Sequence, residues 1–304
     1  MTSTSNGINK KITIVTHNGH FHADEIFAVA TLLLILGEKD DVAVVRTRDM
    51  EIIESGDYVV DVGGIYDESK NYFDHHQIGG SGIRSNTIPY ASFGLVWKKY
   101  GEKLSGSSEV AQKIDQILIQ WIDATDNGIQ IIETKIPGIY PYDIGLFFNS
   151  FTPNWNDSES DTDDIFMQLV SLAKTILIKE ISKRKNLLEV RSIVKEIYNN
   201  TGDKRLIVFD RFYPSQEILS EYPEPLFTVS PRDYGDWEIK AVRSDKHSFK
   251  NRKDLPLSWA SKTGEELEKV TGVSGSMFCH KGRFIATAKT KEAILKMAEI
   301  ALNQ

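Results

Sequence analysis

Two patterns of apolar and polar residues alternate along the first third of the chain, one typical of strands and the other of helices. Short β-branched runs at 12–15, 42–46, 58–61 and 72–73 have the length and composition of buried strands. The segments at 24–36 and 49–54 lie between them and are predicted helices, the first closed by Gly37. Strands that alternate with helices are typical of a parallel sheet with crossover helices. The pattern predicts an α/β fold in which ligands bind where strands end.

The rest of the chain has a different order of elements. Helical spacing at 109–122 is followed by an acidic loop at 152–164, a long helix at 165–200 and a polar stretch at 199–203. Strand-like pieces come next at 206–209, 226–229, 237–242, 276–279 and 284–288, before a final helix from Thr290. We therefore predict two domains, a larger one over 1–200 and a smaller α+β one over 201–304.

Composition narrows the class of protein. With 40% apolar and 26% charged residues in 304 positions, the chain should form packed cores rather than remain disordered. The single cysteine, Cys279, excludes a disulfide framework and fits a reducing compartment. The longest apolar run, 26–36, is too short to cross a bilayer, and residues 1–11 resemble no targeting signal. A cytoplasmic protein without a membrane partner is expected, although an organellar location stays open.

Charge is distributed unevenly along the chain. Residues 237–304 carry a net charge of +5, whereas the remainder carries −12. Such an arrangement suits an anionic substrate on the basic side and metal ions on the acidic side. A basic face exposed to water is the simpler alternative, and charge alone does not decide between them.

Histidine and aspartate residues cluster where the predicted strands end. The sets are His17, His22 and Asp24 after the first strand, Asp61 after the third, Asp74-His75-His76 after the fourth, and Asp123 or Asp126 after a helix. Taken singly, such residues more often pack, cap a helix or face water. Four sets at the ends of neighbouring elements favour a metal site, with enough donors for two ions that share a carboxylate. The high oxygen content favours Mn²⁺, with Mg²⁺ or Co²⁺ as alternatives.

Several of these motifs resemble a known family. Asp74-His75-His76 is the signature of the DHH phosphoesterase superfamily. The stretches at 16–25, 61–67, 73–77, 122–128 and 278–286 resemble its melanocyte-proliferating-gene (MYG) branch. The resemblance implies a DHH-type catalytic domain over 1–200 and a substrate-binding domain over 201–304. It further implies a metal-dependent 3′–5′ exonuclease that cleaves RNA or short oligonucleotides through a metal-activated water. Whether the protein forms a homo-oligomer stays open.

The resemblance also assigns roles to individual residues. The implied metal ligands are His17, His22, Asp24, Asp61, His75 and Asp126. Asp61 is the expected bridge between the ions, and His76 is expected to contact phosphate or supply a proton. His22 stands where many relatives have an aspartate, which lowers the negative charge of the site. Asp123 remains the alternative to Asp126.

A basic turn near the end of the chain is the expected substrate contact. His280, Lys281 and Arg283 lie between two strand-like runs, where Arg283 can hold a phosphate in a bidentate manner. An exposed hairpin tip is the alternative. Two other functions also remain open at this stage. One is a small-molecule phosphohydrolase acting on pyrophosphate or a nucleotide, and the other is a non-catalytic metal-binding regulatory protein.

Overall fold

A computed structural model describes residues 11–37, 41–156, 162–245 and 249–304. These parts contain two five-stranded sheets with flanking helices, which confirms the predicted α/β fold with a second, α+β part. Residues 1–10, where the sequence predicts no targeting signal, and 157–161 of the predicted acidic loop lie outside the described residues.

The first sheet is mainly parallel. Its strands are β1 (Ile12–Thr16), β2 (Val42–Arg46), β3 (Tyr58–Val60), β4 (Tyr66–Asp67) and β5 (Tyr72–Phe73). They lie in the order β2-β1-β3-β5-β4, and in the described part of this first sheet only the edge pair of β4 with β5 is antiparallel. Helices between successive parallel strands make the crossovers that such pairing requires.

The register of this sheet brings three strand ends together. Thr16 of β1 is paired with Val60 of β3, and Val60 is paired with Phe73 of β5. Because these strands are parallel, the residue that follows each of them emerges at the same edge. The polar residues that begin at positions 17, 61 and 74 therefore share one edge.

Helices cover this sheet. They are α1 (Ala23–Leu36), α2 (Met50–Ser55), α3 (Ser92–Ser105), α4 (Ser108–Ile114), α5 (Gln120–Asp126) and α6 (Ile144–Asn149), with a π-helical turn, Asp115–Ile119, between α4 and α5. Every residue of α1 from Ala23 to Leu32 is buried, because α1 packs against both the sheet and α3. Phe27 of α1 stacks on Phe93 of α3 with ring centroids 5.2 Å apart.

The second sheet follows a long helix, α7 (Thr162–Asn200). Its strands are β6 (Leu206–Val208), β7 (Phe227–Pro231), β8 (Trp237–Ala241), β9 (Ser276–Cys279) and β10 (Ile285–Ala288), in the order β6-β7-β8-β10-β9. Its helices are α8 (Gln216–Leu219), α9 (Gly264–Thr271) and α10 (Lys291–Asn303). Cys279 is fully buried in the core of this sheet with Trp259 and Met297, which is a packing role.

The chain divides into two compact units, Met1–Arg184 and Lys185–Gln304. The division falls within α7, whereas the sequence places the boundary after residue 200, where α7 ends. The assignment of catalysis to 1–200 and substrate binding to 201–304 stays a prediction. Within the described residues, none of the helices has the length and apolarity that a bilayer span requires.

The first turn of α3 approaches α5 so closely that it tolerates no side chain at Gly94. A Cβ placed there would lie 1.9 Å from Asp123 Oδ2 and 2.9 Å from Arg84 Nη2. The Gly94 amide instead donates a hydrogen bond to Asp123 Oδ1 at 3.1 Å. Glycine at this position therefore sets the distance between the two helices.

We expect Gly94→Ala to lower the free energy of unfolding by about 3 kcal/mol, because the added methyl must displace a buried carboxylate. Gly202→Ala is the matched control, since a Cβ there meets no atom within 4 Å. It should change stability by less than about 0.5 kcal/mol. Urea denaturation of both variants measures the difference, and equal stability of the two would contradict this account.

Candidate metal centre

The site lies where β1, β3 and β5 end. His17 follows β1, Asp61 follows β3, and His75 comes two residues after β5. All three side chains are at most 7% exposed. The structure thus brings together residues that are up to 58 positions apart in the sequence, as the parallel register requires.

Asp61 is at the centre of the arrangement. Its carboxylate oxygens lie 3.3 Å from His17 Nε2, 3.4 Å from His75 Nε2 and 3.6 Å from His76 Nδ1. The hydroxyl of Ser92 donates to Asp61 Oδ1 at 3.1 Å. The backbone of Asp61 is left-handed, with φ 56°, so the chain turns sharply as it leaves the strand. This geometry fits the predicted bridging position.

One group of possible metal ligands lies at the start of α1. His17, His22, Glu25 and Asp61 each offer one atom, and these atoms all lie within 4.8 Å of one another. His17 Nδ1 lies 3.1 Å from the carbonyl of Asn18, a contact that places the proton on Nδ1 and leaves Nε2 as an acceptor. Burial, together with nearby His17, lowers the pKa of His22, which favours the neutral ring that a metal ligand needs.

A second group lies on the other side of Asp61. Asp24, His75 and Asp126 offer atoms within the same 4.8 Å limit, and His75 Nε2 is 3.0 Å from Asp126 Oδ2. Both oxygens of Asp24 accept backbone hydrogen bonds from the start of α3, one from Ser92 at 2.9 Å and one from Phe93 at 2.7 Å. Asp61 also groups with His75 and His76, so it can serve both sides.

The polar atoms of this site fit divalent ions better than they fit each other. His17 Nε2, His75 Nε2 and Glu25 Oε2 are buried and make no hydrogen bond of regular geometry in the described structure, although both imidazole nitrogens lie close to carboxylate oxygens. Unpartnered buried polar atoms are costly and uncommon in proteins. Several that converge on common points, with mixed imidazole and carboxylate donors, are what a pair of divalent ions would satisfy.

Electrostatics support the same interpretation. Burial, with help from neighbouring carboxylates, raises the pKa of the Asp24 and Glu25 carboxyls well above their usual range. Burial would do the same to Asp61, but the imidazoles that contact it outweigh burial and lower its pKa. For His75, burial opposes the charged form, yet the carboxylates of Asp126 and Asp61 raise its pKa to about 11. The Asp24 and Glu25 carboxyls and the His75 ring thus hold protons that a bound cation would displace.

His76 is held differently from the buried histidines. Its Nδ1 lies 2.7 Å from Asp74 Oδ1, and its side chain is 61% exposed. Asp74 is itself fixed, because its other oxygen accepts a hydrogen bond from the Gly64 amide. The hydrogen bond to Asp74 raises the pKa of His76, with burial acting in the opposite direction. The outer nitrogen of an imidazole oriented in this way is free to meet a substrate.

The structure separates Asp126, the ligand that the resemblance implies, from its alternative Asp123. Asp126 lies beside His75, as described above. Asp123 is fully buried one helical turn away, where it pairs with Arg84 Nη1 at 2.7 Å. Arg84 also holds Asp115, with Nη2 2.7 Å from Asp115 Oδ1. Asp123 therefore has a partner of its own, and its position indicates a role in holding α5 against α3.

The predicted substrate-binding residues lie in the second compact unit. His280, Lys281 and Arg283 form the turn between β9 and β10, as the sequence predicts. The Gly282 amide donates to His280 Nδ1 at 2.9 Å, and Lys281 is exposed. The guanidinium of Arg283 already contacts Asp254 Oδ2 at 2.6 Å. A role for these three residues in binding substrate stays a prediction.

A cavity of about 590 Å³ lies beside these ligands. The residues that line it include His17, His22, Arg48, Asp61, His76 and Asp126. Among the described residues that line it, Arg48 carries the permanent positive charge. A cavity of this size is in the range of small-ligand sites.

Comparison with known proteins agrees with the motifs. The family model for MYG1 exonucleases, described as an uncharacterised protein family (UPF0160), matches residues 13–302. The chain belongs to the MYG1 family. It is 31% identical to the MYG1 protein of Dictyostelium discoideum, over 96% of this chain and 97% of that protein. It is 30% identical to the MYG1 exonuclease of Homo sapiens, over 96% of this chain and 86% of that protein.

Membership of the MYG1 family supports a nuclease or phosphoesterase function. It confirms the family to which the motifs were assigned. Three residues of this MYG1-family site were not among those predicted, namely Glu25, Arg48 and Arg84. Glu25 lies in the first turn of α1, where an acidic residue also suits the helix dipole, and the two arginines stand in loops with no local pattern.

The Arg84 pairs provide a test of how the site is supported. Arg84→Met should lower the free energy of unfolding by about 3–5 kcal/mol, because it leaves the buried Asp123 carboxylate unpaired. Arg205→Met is a matched control, since Arg205 contacts Asp203 at the same 2.7 Å but at an exposed position. It should leave the unfolding free energy unchanged within experimental error. Urea denaturation distinguishes the two, and equal effects would contradict a supporting role for Arg84.

Proposed function

We propose that the protein is a divalent-metal-dependent phosphodiesterase that acts as a 3′–5′ exonuclease on RNA or short oligonucleotides. The observation that carries the proposal is the set of ligand groups at the strand ends, two of which contain Asp61, beside a cavity that Asp61 lines. Family membership supports the nuclease class, whereas RNA and the 3′–5′ polarity rest on the family resemblance alone. The single buried cysteine suits the cytoplasm as the place of action.

In this proposal two ions are held by residues from four segments. The ligands of one ion are His17, His22 and Asp61, and those of the other are Asp24, Asp61, His75 and Asp126. Mn²⁺ is the expected ion, with Mg²⁺ or Co²⁺ as alternatives, because the donors mix oxygen and imidazole nitrogen. Bound ions would supply Lewis acidity at the phosphoryl oxygens and lower the pKa of a water nucleophile.

His76 is the proposed proton donor to the leaving alkoxide. Asp74 fixes one ring nitrogen and stabilises the protonated ring, while His76 itself lines the cavity. A positioned imidazolium of this kind is a suitable general acid. Arg48 is the proposed contact for a non-bridging phosphate oxygen, since an arginine on the wall offers several donors to an anion.

Activity itself is tested with a 5′-labelled oligoribonucleotide, and with pyrophosphate in parallel, in the presence of Mn²⁺. The wild-type protein should shorten the oligonucleotide one residue at a time from its 3′ end. His75→Ala and Asp61→Asn should reduce the rate by at least about a hundredfold, because each removes a ligand. His20→Ala is the matched control, since His20 is an exposed histidine of the same loop as His17, and its rate should match the wild type.

Other outcomes of this assay identify the competing functions. Hydrolysis of pyrophosphate with no cleavage of oligonucleotides would indicate a small-molecule phosphohydrolase. A protein that binds metal but cleaves neither substrate would indicate a regulatory role. A His75→Ala variant as active as the wild type would contradict the proposed site.

The role of Arg48 is tested by steady-state kinetics. Arg48→Ala should raise KM for the oligonucleotide about tenfold, which is the effect of losing one hydrogen bond to a charged group. Metal content should be unchanged, and Arg48→Lys should recover part of the affinity. Lys103→Ala removes an exposed cation near the opposite end of α3 and should leave KM unaltered. Equal KM values for Arg48→Ala and wild type would remove Arg48 from the substrate site.

A further inference from the structure

Glu25 is a buried carboxylate at the site that the roles described so far do not use. Its side chain is fully buried in the first turn of α1. One oxygen, Oε1, accepts a hydrogen bond from the His22 amide at 2.8 Å. The other oxygen, Oε2, is buried and has no hydrogen-bond partner in the described structure. An ionisable oxygen left in this state requires a partner of another kind.

The surroundings of Glu25 have the spacing of a metal site. Oε1 lies 3.9 Å from His17 Nε2, and Oε2 lies 4.0 Å from His22 Nδ1. Two ligands that are each about 2.1 Å from one ion lie roughly 3–4.2 Å apart, depending on the coordination angle. The distance of 3.3 Å between His17 Nε2 and Asp61 Oδ2 falls in the same range. One ligand atom each of His17, His22, Asp61 and Glu25 thus lies within 4.8 Å of the other three, close enough for a single coordination sphere.

Charge gives a second reason. His17, His22 and Asp61 alone would offer one ion a single negative charge. Ionised Glu25, which lies one helical turn from His22, would supply a second. With it the group contains two imidazoles and two carboxylates, a set that suits Mn²⁺ or Zn²⁺.

Helix capping is the competing explanation. A glutamate in the third position of a helix often accepts a hydrogen bond from the N-cap amide, as Glu25 does from His22. Capping uses only Oε1, however, and such caps are usually exposed to water. It accounts neither for the complete burial of the side chain nor for the position of Oε2.

We propose that Glu25 is a direct ligand of the ion held by His17, His22 and Asp61, with Oε2 as the coordinating atom. The inference rests on the metal dependence proposed above. It gives the first ion a fourth protein ligand and a second carboxylate.

Glu25→Gln separates coordination from capping. Glutamine keeps an oxygen that accepts from the His22 amide but has no charge and offers a poor ligand. Titration with Mn²⁺, followed by electron paramagnetic resonance of the free ion, should show two bound ions per wild-type chain. In Glu25→Gln one of the two dissociation constants should rise at least about tenfold. Thermal denaturation of the metal-free proteins should show that the variant is folded and no less stable than wild type.

Asp143→Asn is the matched control. Asp143 is an N-cap carboxylate that accepts a hydrogen bond from the Leu146 amide at 3.0 Å at the start of α6. Its replacement should leave both dissociation constants for Mn²⁺ unchanged. A crystal soaked in Mn²⁺ supplies a second measurement, in which an anomalous peak should lie within about 2.5 Å of Glu25 Oε2.

The possible results distinguish this inference from the proposed function. Wild-type affinity of Glu25→Gln at both sites, or a peak that Glu25 does not reach, would overturn the ligand role and leave capping. Two bound ions without hydrolysis of any phosphodiester would overturn the function and leave the ligand role intact. A wild-type protein that binds no Mn²⁺ would overturn both.

Discussion

The burial of three carboxyl groups at the start of α3 is the constraint on which the first part of the molecule depends. Asp24, Asp61 and Asp123 lie inside the protein, where an uncompensated carboxylate would be very unfavourable. A different interaction stabilises each of them. Asp24 accepts hydrogen bonds from two backbone amides of α3, Asp123 pairs with the Arg84 guanidinium, and Asp61 contacts imidazole rings. The positive end of the α3 dipole further stabilises all three carboxylates. The first turn of α3 therefore positions the carboxyl groups of the site.

The same constraint explains which parts of the fold the sequence revealed. The strands β1, β3 and β5 were predicted because a buried run of β-branched residues is a local signal. The helix α3 was not predicted, although it carries the site. Its N-cap is Ala91, which has no capping side chain. The acceptors for its first amides are Asp24 and Asp123, which are respectively 68 and 29 residues away from the amides that they bind. Capping patterns based on residues next to the helix start cannot detect acceptors that are so distant in the sequence.

The site was predictable to a similar extent and for similar reasons. His17, Asp61 and His75 were found because parallel strands bring their ends to one edge, whatever their separation in sequence. Asp126 was preferred to Asp123 on the family resemblance, because residues three apart share a helix face and the local pattern does not separate them. Their contacts separate them, since Asp126 lies beside His75 and Asp123 pairs with Arg84, a residue from a loop without a recognisable pattern. Glu25 was visible as a charge at a helix start, but its burial depends on packing that local sequence does not encode.

Position 61 is subject to two opposed requirements. Its left-handed backbone is the conformation that glycine adopts most readily, and among other residues aspartate and asparagine tolerate it best. The chemistry at the strand end needs an anionic oxygen, which glycine and asparagine lack. Selection for folding stability alone would therefore favour glycine or asparagine at position 61 over the aspartate that can bind the ions. Aspartate is the compromise, and some conformational strain in the resting protein is the consequence of keeping a carboxylate at the junction of both ligand groups.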